Sequence, residues 1–291
     1  MVKQLLFLLV SLFTFSLGFA QDEVEPADKP TVFVDYFTFP SNMKKEEAAI
    51  VRNNVLASAI ASGRVITIDA ESDNVQTNEK LRRTQNDMSV GEDNSMERLS
   101  AIGILGAEYV LSGQITSLTS ARKERKSKDG KVTVSYEGKV SYTINLIRVK
   151  DGTLVTSNSY SNSATEDTER ESMVSAVAKA GKMAKNIKAM FPIWGTVLEV
   201  SQEKKNKAEE VYINVGSKNG IAEKTRFMVY AVRQVAGRTI NKEIGDLSVE
   251  SVEGSDISCC KVKKGGDLIL KAWRDGETML VKSYERFGLF D

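Results

Sequence analysis

The stretch A-I-G-I-L-G-A-E-Y-V-L-S-G-Q-I, residues 101–115, admits very few local structures. Met96, Leu99, Ile102 and Leu105 recur at helical spacing, Gly106 suits the left-handed position that ends a helix, and Tyr109, Val110, Leu111 and Ile115 carry strand chemistry. A helix that runs through a glycine straight into a buried strand is part of a mixed helix-and-strand core. No catalytic group accompanies it.

The same grammar recurs along the chain. T-V-F-V-D-Y-F-T-F, residues 31–39, is rich in branched and aromatic residues and predicts the first strand. Ser41 and Asn42 suit the cap of a following helix, with Glu46 and Glu47 in its first turn, an apolar stripe Val51, Val55, Leu56, Ala59, Ile60, and Gly63 at its end. R-V-I-T-I-D then predicts a second strand. Residues 71–100 are polar until Met96 and read as a mobile excursion, with Asn78–Arg83 sufficient for one turn of helix.

Arg122 to Lys131 reads as a solvated loop with an Asp-Gly turn. Lys131–Val149 returns as a long strand, and Asp151-Gly152 turns it into L-V-T-S-N-S-Y-S, an antiparallel meander. From Glu169 to Met190, Met173, Val177, Ala180, Ala184 and Ile187 form one helical stripe, while Lys179, Lys182, Lys185 and Lys188 gather opposite, as on a solvated helix face. Phe191-Pro192 breaks that helix. Strands separated by glycine turns follow, so the pattern changes near Pro192 and a domain boundary is expected there.

The fold class is therefore α+β: a mixed sheet with packed helices over residues 31–190, then a small all-β, barrel-like domain over 194–291. Residues 1–20 pair one lysine with an apolar run ending in small residues, which predicts a signal peptide cleaved after Ala20, and 21–30 form an acidic leader. The expected compartment is the periplasm, reached by secretion across the inner membrane, with the outer membrane as a further location. No spanning helix is expected in the mature chain, and peripheral association with a membrane stays open.

Charge and residue usage exclude several functions. Lys3 is the one basic residue of the first twenty, so the 40 basic and 39 acidic residues become 39 of each after cleavage. Such a balance predicts no general attraction to nucleic acid. Histidine is absent, which removes histidine general acid/base catalysis, Ser-His-Asp and Cys-His nucleophiles and most zinc sites. Among carboxylates, Asp35 with Asp69, each near a strand end, is the pair that glycoside chemistry would have to use.

G-S-K-N-G-I-A-E-K-T from Gly216 has Glu223 where a phosphate-binding loop needs glycine, so Gly216 and Gly220 are read as turn residues and no nucleotide is expected. Cys259 and Cys260 are adjacent, and neighbours on a strand point to opposite faces, so two free thiols are expected. Phe287, Leu289 and Phe290 are expected to pack on their own barrel. No catalytic, cofactor-binding or metal-binding residue is assigned, and no cofactor is expected.

The passage ending in G-R-V-I-T-I-D, the unit G-A-E-Y-V-L-S-G and the meander I-N-L-I-R-V-K-D-G-T-L-V resemble the CsgG/LpoB family of bacterial envelope-assembly proteins. Y-I-N-V-G-S-K-N-G-I, F-M-V-Y, I-G-D-L-S-V and G-G-D-L-I resemble the C-terminal domain of the flagellar assembly protein FlgT. The first family is typically anchored by a lipid on a cysteine just after the signal, and this chain has its two cysteines only at 259 and 260, so an unlipidated product is expected.

What the resemblances imply is a non-enzymatic periplasmic assembly accessory that contacts other envelope proteins and is compatible with a homo-oligomer. The alternative they carry is a CsgG-like secretion channel subunit with membrane-inserted hairpins. A carboxylate-dependent envelope hydrolase is the third reading.

Overall fold

A computed structural model describes residues 28–76 and 95–287; the signal peptide, most of the leader, the Asn78–Arg83 turn, Leu289 and Phe290 lie outside the described residues. The first sheet has five strands in the order β2-β1-β3-β4-β5. β1 (Thr31–Thr38) runs parallel to both β2 (Ile66–Asp69) and β3 (Tyr109–Lys126). β4 (Val132–Arg148) and β5 (Leu154–Glu166) complete it as an antiparallel meander.

Alternation along the central strands sends side chains into two cores. Val32, Val34 and Leu111 face α1 (Lys45–Ser62), α4 (Glu169–Lys179) and α5 (Ala184–Met190) and join Val51, Val55, Ala59, Val177 and Ile187. Phe33 and Val110 point the other way and meet Val75 of α2 (Asp73–Gln76) and Ala101 and Ile102 of α3 (Ser95–Ile104). The sheet is thus covered on both faces, as a partly parallel sheet requires. The glycine-punctuated stretch at 101–115 is the α3–β3 connection, with Gly106 at φ +84°.

Three local expectations are corrected. Lys44, not Ser41 or Asn42, precedes α1; its N–H donates to Glu47 Oε2 at 3.1 Å, while Asn42 Nδ2 reaches across to the Leu118 carbonyl. Ile60 of the expected stripe is exposed, and Arg52 is buried in its place. The basic stretch from Arg122 is not a loop: β3 continues to Lys126, and only Ser127–Gly130 turns.

The fourth correction is the helix over 169–190, which is two helices. Gly181 sits at φ +77° between them, and its N–H donates to Tyr142 Oη at 2.9 Å. A Cβ there would stand 2.4 Å from the Val51 carbonyl oxygen, so the break lets the chain press against α1. The four lysines consequently do not share one helix face: Lys179 belongs to α4, Lys185 and Lys188 to α5, and Lys182 to the connection.

The second unit is a closed antiparallel barrel ordered β10-β7-β6-β11-β8-β9. Its strands are β6 (Trp194–Lys204), β7 (Lys207–Ile213), β8 (Arg226–Val235), β9 (Arg238–Val252), β10 (Ser258–Lys264) and β11 (Met279–Tyr284). A helix, α6 (Gly266–Arg274), interrupts the expected run of strands and contributes Ile269, Leu270 and Ala272 to the barrel core. The connection into the barrel is tied down at Ile193, whose N–H donates to Ser283 Oγ and whose carbonyl accepts the Ser283 N–H, both at 2.8 Å.

Candidate functional site

The two acids singled out for hydrolytic chemistry are both held by arginines. Asp35 lies inside β1, at the irregularity between Val34 and Phe37, not at its end as expected, while Asp69 ends β2. Buried Arg52 of α1 lies against both: Nε donates to the Asp35 carbonyl, and Nη2 to the Val34 carbonyl and to Asp69 Oδ1. Arg98 of α3 forks onto the Asp35 carboxylate, with Nε 3.2 Å from Oδ2 and Nη2 on Oδ1. Asp35 Oδ1 also accepts the Tyr36 N–H at 2.8 Å, and Asp69 Oδ1 the Glu71 N–H at 2.9 Å. The Tyr36 ring stacks 5.4 Å from the Arg52 guanidinium. Paired in this way, the two carboxylates join α1, α3 and the parallel strands.

The larger feature is an overhang of the first sheet. The β3–β4 ribbon packs on the body at Ser120, whose Oγ lies 3.1 Å from Ser172 Oγ, and at Gly138, where a Cβ would stand 2.1 Å from the Ser172 carbonyl oxygen, and β5 flanks it as far as the Tyr136–Glu166 pair. Beyond it four residue pairs, from Lys123–Ser135 to Lys126–Val132, extend the ladder by about 13 Å. Ala121 to Lys126 are exposed without exception. Arg122 pairs with Glu124, and Lys123 Nζ lies 2.6 Å from Glu137 Oε2, so the ribbon carries charges of both signs with basic residues in excess.

β5 borders the same sheet with its outer edge unpaired among the described strands. Its face and α5 enclose a groove of about 680 Å³ lined by Ser159, Tyr160, Asn162, Lys182, Asn186 and Phe287. Tyr142 and Tyr160 stack at 5.5 Å, and burial pushes both hydroxyls above the ordinary tyrosine value. Phe287, expected to pack on its own barrel, is half-exposed and lines this groove of the first sheet.

The remaining candidates fall into place more simply. Gly216 and Gly220 flank a single 3-10 turn, Ser217–Asn219, which leads to β8 rather than to a helix. Cys259 and Cys260 are both buried and free on β10, and burial raises both thiols above their usual range. Sequence reasoning missed three arginine-centred features. Arg52 and Arg98 sat on helix faces that the hydropathy pattern assigned to apolar contact or to solvent. Asp246, buried at one barrel end, receives the Tyr284 hydroxyl at 2.7 Å and Arg286 at 3.2 Å, partners 38 and 40 residues away.

No family model matches the chain, and no curated protein matches it. Solved structures do. The chain is similar to a PelC dodecamer subunit from Paraburkholderia phytofirmans, at 16% identity over 57% of this chain and 93% of that one, with a TM-score of 0.34. It is also similar to lipoprotein GNA1162 from Neisseria meningitidis, at 14% identity over 50% of this chain and 90% of that one, TM-score 0.31. The LpoB C-terminal domain from Escherichia coli matches at 14% identity over 46% of this chain and 82% of that one, TM-score 0.29.

Proposed function

We propose that this protein is a non-enzymatic accessory of envelope assembly, acting in the periplasm through contacts with other envelope proteins. The observation that carries the reading is the β3–β4 overhang: about 13 Å of regular, mixed-charge ribbon, exposed along its whole β3 side and with no part in either core. A ribbon that does not stabilise its own fold is suited to contact with another surface. The resemblance of residues 31–190 to the CsgG/LpoB family and of the barrel to the FlgT C-terminal domain points to the same compartment, and the two regions serve as separate domains.

Crossing a bilayer takes strands of about ten residues, more than this overhang supplies. The composition argues against crossing as well: Arg122, Lys123, Glu124, Arg125 and Lys126 are consecutive, so both faces carry charge. A lipid-facing Lys or Arg at the midplane costs about 2–4 kcal/mol. Mixing the protein with liposomes tests this reading: it should remain in the aqueous phase and release no entrapped dye, whereas spontaneous insertion with conductance in a planar bilayer would replace it with the channel.

A further inference from the structure

The seam between the first sheet and the barrel holds a cavity of about 350 Å³, lined among others by Arg64, Glu108, Tyr109, Phe191, Trp194 and Asn219. Arg64 follows Gly63 in the α1–β2 turn and is 3% exposed. Its Nε and Nη1 are shut off from solvent and have no acceptor among the described residues. Burial pushes the guanidinium down to about 10, against the pull of the nearby Glu285 carboxylate. A buried cation with unmet donors is costly, and few native side chains are left in that state.

The neighbouring charges do not supply the missing acceptor. Glu108 turns Oε1 to the Thr31 N–H at 3.1 Å, and Asp28 and Lys29 line the rim with opposite signs. The rest of the wall is mostly apolar, with Met190, Pro192 and Ile193 beside three aromatic rings. Tyr109 meets the Phe191 ring edge-on at 5.7 Å, and Trp194 is flanked by Tyr230 and by the Lys282 ammonium, 4.9 Å from its ring centroid. The volume falls within the range of small-ligand pockets, which pair an apolar wall with a few placed polar groups.

We propose that this cavity is a binding site for a carboxylate carried on an apolar body, with Arg64 holding the carboxylate and Trp194, Tyr109 and Phe191 holding the body. Turned into the cavity, the planar guanidinium matches a carboxylate with two parallel hydrogen bonds, and the ligand's charge offsets the burial of Arg64. Such a group occurs at the free end of a peptide chain and in small aromatic or aliphatic acids. The site is independent of the assembly role proposed above.

Trp194 reports on the cavity directly once the second tryptophan is removed by Trp273→Phe. Titration of that variant with N-acetyl-L-phenylalanine should give saturable quenching, and N-acetyl-L-phenylalaninamide should bind at least about ten-fold more weakly, the loss expected without the charge-assisted pair. Arg64→Gln should abolish the preference for the acid. N-acetyl-Ala-Ala-Phe binding more tightly than the single residue would assign the site to a chain end, and equal binding to a small acid; both support the site. Equal binding of acid and amide, or no saturation in the millimolar range, overturns the proposal without any Arg64 variant. Retention of the acid preference in a folded Arg64→Gln protein overturns it too.

Discussion

Gly63 and Gly220 meet backbone to backbone across the seam: a Cβ on Gly220 would stand 2.1 Å from the Gly63 carbonyl oxygen. Both lie in the left-handed region, at φ +66° and +73°. One ends α1 and the other ends the turn that follows β7, so the two units approach each other where each chain reverses.

The contact predicts an asymmetry. Gly63→Ala should cost about 1–2 kcal/mol of left-handed strain, because its Cβ would find only Gly220 Cα at an ordinary 3.7 Å. Gly220→Ala should cost more in the full chain, since the seam must open as well. Chemical denaturation of the two variants checks this; equal losses would mean that the seam contact has no energetic weight.

Separate folding of the two regions is the next expectation. Each has its own buried cluster, and the sheet and barrel share no strand. Residues 28–190 and 193–291, expressed apart, should each unfold cooperatively. In the barrel fragment Gly220→Ala should then cost only its backbone strain. Two disordered fragments would show that the boundary is misplaced.

Arg52 should be the most sensitive position of the first unit. Removing it takes the guanidinium donors away from the Val34 and Asp35 carbonyls and leaves Asp69 without its counter-charge. Breaking a buried pair costs about 3–5 kcal/mol, and the partial exposure of Asp69 places Arg52→Met near the lower end. A midpoint unchanged in urea would rule out the structural role given to these acids.

The Cys260 thiol makes folding sensitive to alkaline pH. Burial raises it first, with the Cys259 charge adding to the effect, so the folded state keeps its proton where the unfolded chain loses it. Stability from this group is intact below about pH 9 and falls above it by about 1.4 kcal/mol per pH unit. Cys260→Val should flatten that part of the stability–pH curve relative to the unmutated chain; a parallel curve would contradict it.

Much of this architecture was legible because it follows from period and punctuation. The 101–115 stretch, the β4–β5 meander and the change of pattern at Pro192 all rest on local residues, and the structure has the corresponding elements. The helix over 169–190 failed because a continuous apolar stripe says nothing of Tyr142, 39 residues away, which holds Gly181 in the break. α6 was missed because a nine-residue helix among strands offers a short signal, although Ile269 and Ala272 are three apart on one side. Asp69 was visible as an acid at a strand end, and Asp35 as an acid of the first strand, though not of its end; Arg52 and Arg98, which hold them, could be placed beside them only by the fold.

The ribbon is where the proposed role is most exposed to test. Replacing residues 123–135 with Asn-Gly would let Arg122 and Tyr136 flank a two-residue hairpin turn and remove the overhang without touching either core. A photo-crosslinker placed at Arg125 or Val134 in cells should capture a discrete envelope protein, and the shortened protein should fold with an unchanged unfolding midpoint but lose that partner when the partner is assayed in purified form. Capture of lipid alone at both positions, or full binding of the purified partner by the shortened protein, would contradict the account.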